Sequence, residues 1–312
     1  MVRLFRWILT TSVVLALQVD AFAWSAGGHH LIAVLAFRQL EPQRQDEIIR
    51  ILKTHPRFAE DFSKPAKVQN ENEWLIGRAG YWPDVVRSGS GRSYHRSTWH
   101  YELGATKVVG TVNNVPAFPG DLPAGATLDT QALHIAQAIK LCDGILADAN
   151  AKDSDRAVAI CWLCHLVADS HQPCHAGSLY VEHVFDKADG DRGANSIPTK
   201  QSKNMHALWD GLLGSSYSES AVQRRALEVV ALANEEPLRV DGTPVDWLAE
   251  SRQVAIDIVY ADEVMEPITV AMRANSSEIA ELNLSEEYLK RAGRVAQLRA
   301  AQAAARLAGF LR

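Results

Sequence analysis

The stretch His165-Leu-Val-Ala-Asp169-Ser-His171-Gln-Pro173-Cys174-His175 packs three imidazoles and one carboxylate into eleven residues. On a helix, His165 and Asp169 stand at i and i+4, so their side chains leave from one face. Pro173 ends such a helix, because its ring cannot continue the ladder and it pushes residue 172 out of the helical region. His175 is then thrown off the axis, free to fold back toward the first two. Imidazole and carboxylate converging from a helix and the turn after it suit a borderline-soft cation such as zinc. Taken alone, a His-x-x-x-Asp pair also fits a helix end with polar residues in solvent, since about a quarter of an average chain is charged. A second such pair follows at His206-Ala-Leu-Trp-Asp210. Asp84 comes after Trp82-Pro83, where a cap is the ordinary role. His100 lies in Trp99-His100-Tyr101, and His29 follows Trp24 across Gly27-Gly28.

The elements that must position these residues read as helices. Apolar residues recur at helical spacing over 28–40 (Leu31, Ile32, Leu35, Ala36, Leu40). Pro42 opens a second helix reaching about Thr54. A short helix over 72–80 is expected to stop before Pro83. Residues 84–126 read as loop, with a short strand at 108–112. Long helices are expected at 127–149 and 154–172, then at 204–213, 218–234, 245–264 and 285–311. The last is rich in Ala, Leu and Arg, all strong helix formers. Residues 177–203 carry many Gly, Asp and Lys and read as a surface lobe. The fold class is all-α, a single multi-helix domain with no internal repeat.

The ordered set Trp24-x4-His29, Trp82-Pro83-Asp84-x2-Arg87, Trp99-His100-Tyr101, His165-x3-Asp169-x5-His175 and His206-x3-Asp210 resembles the trinuclear-zinc, single-strand-specific nucleases of the S1/P1 group. The resemblance runs from Trp24 to the C-terminal helix. It implies three zinc ions at the base of a surface cleft. One would take Asp84, His100 and His165. A second would take the α-amine and carbonyl oxygen of Trp24 with His29, and Asp169 would bridge the two. A third would take His175, His206 and Asp210. It further implies hydrolysis of RNA and single-stranded DNA to 5′-phosphates, with 3′-nucleotides as a further substrate class. On that resemblance a water held between the close pair would attack phosphorus, and the third zinc would stabilise the leaving 3′-oxygen. Arg87 would face the equatorial oxygens. Tyr101 and Val181 would sandwich a base, and Asn195 would meet a base or sugar. Two departures stand out. Leu103 occupies a position where the group often has a carboxylate or amide, with Glu102 one residue off. A Gly-Gly-Asn loop appears as Gly193-Ala194-Asn195.

Residues 1–23 have the marks of a signal peptide. Arg3 and Arg6 precede an apolar run from Trp7 to Val19, and Ala21-Phe22-Ala23 is a small-x-small cleavage site. The exported chain would begin at Trp24, as one nuclease domain over 24–312. Its freed amine is a better metal ligand than the amide nitrogen of the precursor. No later run reaches about 18 apolar residues, so a soluble monomer without a stable protein partner is expected. With 47% hydrophobic residues a sizeable core is affordable. The formal charge of −5, one unit more negative once Arg3, Arg6 and Asp20 are removed, disfavours duplex DNA. Cys142, Cys161, Cys164 and Cys174 are read as buried thiols or one or two disulfides. His171 faces away from Asp169 or lends it a hydrogen bond. Arg192, Lys200 and Lys203 are placed to receive backbone phosphates or lie in a solvated loop. Two rivals remain. Zinc-dependent bacterial phospholipase C shares the architecture but predicts an apolar rim, whereas Arg87, Arg92 and Arg96 are expected at this one. A non-catalytic zinc-binding module would need no Arg87.

Overall fold

The computed structural model describes residues 24–312; the expected signal peptide lies outside the described residues. In chain order the elements are α1 (Ala26–Phe37), α2 (Pro42–Leu52), α3 (Phe58–Asp61), α4 (Glu71–Val85), β1 (Ala105–Val109), α5 (Ile135–Ala147), α6 (Asp153–Asp169), β2 (Ser178–Val181), α7 (Met205–Gly211), α8 (Glu219–Glu235), α9 (Pro244–Val254), α10 (Asp262–Arg273) and α11 (Glu286–Leu311). Two helices are buried all round: α1 from Gly27 to Phe37 and α6 from Ala157 to Asp169. A helix apolar on every face has to be central. Accordingly α4 and α11 flank α1, and α4 and α5 flank α6. This main core meets a second one built from β2, the 184–197 segment, α7, α10 and the start of α11.

The helical reading holds in outline, and its boundaries show what else acts. α4 does not stop before Pro83 but carries it inside the last turn. The proline removes the bond to the Ala79 carbonyl, a cost of about 3 kcal/mol in an exposed helix. Packing against both central helices outweighs it here. α5 starts at Ile135 rather than 127, because the Gln137 side chain accepts from the His134 amide and fixes the entry there. The 245–264 helix instead breaks after Val254 into a π turn, Ala255–Val259. α10, with Pro267 inside it, has no counterpart among the expected helices. The expected strand lies three residues earlier, at Ala105–Val109, and pairs in parallel with β2. Gly110, at φ 77°, ends it. Among the described residues no helix is long and apolar enough to cross a membrane.

Candidate metal centre

The two central helices and α4 bring His29, Asp84, His165 and Asp169 together, and the short 3-10 turn Ser97–His100 adds His100. All five are buried. Asp169 lies among three imidazoles. Its Oδ1 is 3.4 Å from His29 Nε2, and its Oδ2 is 3.2 Å from His165 Nε2 and 3.5 Å from His100 Nδ1. One carboxylate thus spans two directions, as a bridging ligand must. Asp84 Oδ1 stands 3.8 Å from His165 Nε2 and 4.0 Å from His100 Nδ1. Donors from His29, His165 and Asp169 cluster, as do those of Asp84, His100 and His165. His165 therefore belongs to both clusters, whereas the sequence reading assigned it to one.

A separate cluster joins His175, from the turn after α6, to His206 and Asp210 on α7. Its hydrogen bonds define its chemistry. His206 Nδ1 donates to the Gly193 carbonyl at 2.6 Å, and His175 Nδ1 donates to the His100 carbonyl. A ring nitrogen facing a carbonyl must carry the proton. In the neutral rings both Nε2 atoms then present lone pairs, and they face each other 3.1 Å apart. Two nitrogens on one tetrahedral zinc, each at roughly 2.0–2.1 Å from it, would stand about 3.3 Å apart. Burial, with His206 alongside, holds His175 well below the usual imidazole range, and Asp210 Oδ2 lies 3.5 Å from His206 Nε2.

Charge supports the same reading. Burial raises the Asp169 carboxyl to about 6, and it drives Asp210 well above the usual range. Burial, then His165, holds His29 far below its ordinary value; burial, then Arg87, does the same for His100. At His165 burial opposes the charged form, but Asp169 and Asp84 outweigh it and the value rises. Both oxygens of Asp169, Oδ2 of Asp84 and both nitrogens of His29 are buried without hydrogen-bond partners. Buried polar groups are normally satisfied. Buried carboxylate oxygens and imidazole nitrogens left without partners are what a divalent cation would complete.

Trp24 is buried beside these groups. Its Nε1 donates to the Ala168 carbonyl at 3.0 Å, next to Asp169, and the Ser25 amide donates to the Asp210 carbonyl at 2.9 Å. The start of the described chain is thereby pinned between the two clusters.

A cleft of about 400 Å³ opens over His100, His175 and His206. Arg87 lines it, with Nε donating to Asp84 Oδ1 at 2.8 Å. Tyr101 and Asn195 line it too. Val181 does not. Side chains alternate along β2, so Ser178 and Tyr180 face the cleft while Leu179 and Val181 lie in the second core. The rim arginines also need correction. Arg96 is 2% exposed and pinned to the Leu128, Ser93 and His95 carbonyls and to Asp129. Arg92 is exposed elsewhere, and Arg192, not Lys200 or Lys203, reaches the cleft. All four cysteines are buried free thiols, outside every metal-capable group among the described residues. His171 faces away from Asp169: Nδ1 donates to the Val167 carbonyl, and Nε2 accepts from Arg306 at 2.8 Å.

The 177–203 lobe is less solvated than its composition suggests. Asp191 is buried; it accepts from the Leu179 amide and, at 2.7 Å, from the Tyr260 hydroxyl. Burial raises it to about 6. Around it Arg192, Gly193 and Ala194 run in left-handed conformation at φ 60°, 58° and 66°. That turn delivers the Gly193 carbonyl to His206. A Cβ on Gly193 would overlap the Cys174 carbonyl oxygen, so the close approach requires glycine. Gln172, which donates to Asp210 at 2.7 Å, and the Gly80 carbonyl, which accepts from His165 Nδ1 at 2.9 Å, are further supports that no motif reveals. The Asp and glycines of 189–193 were the visible signal for a built turn.

A helical core with three His/Asp groups beneath an arginine-lined cleft is the construction of a metal-dependent hydrolase. The chain belongs to the S1/P1 nuclease family: residues 24–312 match the sequence model described as S1/P1 Nuclease. A curated relative, Endonuclease 3 of Arabidopsis thaliana, is 22% identical over 326 aligned residues, covering 98% of this chain and 93% of its own. The protein is therefore a nuclease, a hydrolase of phosphodiester bonds in nucleic acid, and its His/Asp groups fit the zinc dependence of that family.

Proposed function

We propose that the protein is exported and hydrolyses RNA and single-stranded DNA to 5′-phosphorylated products, using three zinc ions, with 3′-nucleotides as a further substrate class. The observation that carries this reading is Asp169, both of whose buried carboxylate oxygens lack a hydrogen-bond partner while three imidazoles stand 3.2–3.5 Å from them. Asp84, His100 and His165 would hold one ion. His29 and the Trp24 amine and carbonyl would hold a second, with Asp169 between the two. His175, His206 and Asp210 would hold the third. Zinc in these places supplies a water acidic enough to act at neutral pH and positive charge for the phosphate and leaving oxygen.

The chain's own groups do the rest. Arg87, oriented by Asp84, presents its guanidinium to the phosphate's equatorial oxygens. Tyr101 offers a ring face on which any unpaired base can stack. It is braced edge-on by His134, whose Nδ1 also donates to the Tyr101 carbonyl. Asn195 is held by the Arg192 carbonyl at the cleft's far wall. A duplex base is not free to enter, so single strands are preferred. Cleavage before Trp24 activates the enzyme by freeing its amine; the burial of Trp24 beside Asp169 and the start of the family match at residue 24 support this.

Metal analysis of the processed protein, coupled to assays on RNA, single-stranded and duplex DNA and phosphatidylcholine, tests the reading. Expected are about three zincs per chain, chelator-sensitive release of 5′-nucleotides from single strands, and no diacylglycerol. Diacylglycerol release would favour a phospholipase C. Three zincs with no phosphodiester hydrolysed would favour a storage module. A residue added before Trp24 should cost one zinc and most activity; full activity in that variant would refute the activation step.

A further inference from the structure

Arg96 does not line the cleft, yet it is buried, and its guanidinium joins two segments of chain. On one side Nη1 donates to the Ser93 and His95 carbonyls at 2.7 and 2.9 Å. On the other, Nε donates to the Leu128 carbonyl at 2.7 Å and Nη2 to Asp129 Oδ1 at 2.9 Å. The Asp129 side chain is 95% exposed, so the ion pair itself adds little. What the arginine supplies is geometry: a planar fork of donors that fixes several acceptors at once.

The pattern continues along the next residues. The Thr98 hydroxyl lies 2.7 Å from both the Gln131 and Leu133 carbonyls, and Trp99 Nε1 donates to the Thr130 carbonyl at 3.0 Å. Side chains 96, 98 and 99 are thus sewn to a strap of backbone, residues 128–133, that belongs to no helix or strand. The strap's carbonyls are spent on this turn and not on a ladder of their own. The turn needs them. Its own hydrogen bonds are long: 3.2 Å from the Trp99 amide to the Arg96 carbonyl and 3.5 Å from the Tyr101 amide to the Thr98 carbonyl.

What the turn carries is His100. The His100 ring faces the paired cluster, with Nδ1 3.5 Å from Asp169 Oδ2. Its carbonyl accepts from His175 Nδ1 and so orients a donor of the lone cluster. One residue serves one cluster through its side chain and the other through its backbone. A small shift of this turn would displace both.

We propose that Arg96 and Thr98 are positioning residues which, through the 128–133 strap, hold the turn on which both metal clusters depend. The proposal rests on the metal-centre reading. Its test is stepwise competitive chelator titration of zinc from wild type, Arg96→Ala, Thr98→Val and Thr98→Ser, with thermal unfolding of the zinc-free proteins in parallel. Arg96→Ala should weaken every zinc step about tenfold. Thr98→Val, which keeps the shape of the side chain and loses the hydroxyl, should weaken them about fivefold, the scale of one hydrogen bond. It carries the test if Arg96→Ala does not fold. Thr98→Ser, which restores the hydroxyl, should restore the affinities. Zinc steps unchanged in Thr98→Val, whatever the zinc-free protein loses in stability, overturn the proposal, as does a loss confined to one cluster. Wild type that takes up no zinc refutes the metal reading and the proposal together; equal uptake by wild type and variants refutes the proposal alone.

Discussion

The paired cluster and the lone cluster hold similar donors by different means. His29, Asp84, His165 and Asp169 project from three helices packed in the main core, and their placement follows from helix packing. His175 and His206 are held by hydrogen bonds to loop carbonyls, those of His100 and Gly193, at the seam with the second core. The paired cluster concentrates two carboxylates and is short of hydrogen-bond partners. The lone cluster has one carboxylate, already bonded by Gln172. Rigid helices suit a site that, on the proposed reading, would hold two ions at a fixed spacing. A loop-wired site is tuned by residues that never touch the metal.

The sharpest way to break this contrast is Asp169→Asn. Hydrolysis should fall by roughly 10³-fold or more, the order seen when a catalytic electrostatic group is removed. Metal analysis should show the pair depleted and the lone site loaded. Wild-type turnover would end the bridging assignment.

Gly193→Ala probes the other side. It forces the Cys174 carbonyl and the Gly193 turn apart, so zinc affinity at the lone site should drop about 10- to 100-fold. The pair should keep its metal, as read by competitive chelator titration. Loss from both sites would mean that the clusters are wired together.

Asp191→Asn is next in size. The Asp191 carboxyl sits at about 6 in the fold against an ordinary 3.8. The folded state holds that proton more tightly than the unfolded chain does, so wild type loses stability as pH rises from 3.8 through 6. Asparagine removes this titration. The stability of the variant relative to wild type should therefore climb across that window by up to about 3 kcal/mol and then level off. Urea unfolding of both proteins at several pH values reports it; a pH-independent difference would contradict the burial argument.

The smallest effect is expected from Ala194→Gly. Ala194 sits at φ 66°, where a Cβ costs roughly 1–2 kcal/mol, but its buried methyl offsets part of that. A gain of up to about 1 kcal/mol is expected in thermal unfolding, with activity unchanged. A loss would show that the methyl matters more to the second core than the strain does.

Much of the site could be read in the chain. Donor types, their order and the two i, i+4 pairs are local facts, and helical periodicity puts His165 with Asp169, and His206 with Asp210, on common faces. Val181 was placed wrongly because strand register sets which alternate residues face the cleft, and register with β1 is a long-range pairing. Arg96 was placed wrongly because a buried guanidinium satisfied by carbonyls looks, in sequence, like a surface cation. Asp191 was overlooked because glycine-rich composition signals a turn and not whether that turn is buried.

Helix periodicity and residue chemistry, both encoded locally, thus determined the all-helical class, the metal-binding donors and their grouping in pairs. Only the tertiary structure decided which pairs meet, that Asp169 lies between three imidazoles, and which nitrogen His165, His175 and His206 present. Those outcomes depend on carbonyls of Gly80, His100 and Gly193, which lie on other elements. A backbone carbonyl has no side-chain identity, so no sequence pattern marks the one that will fix a tautomer.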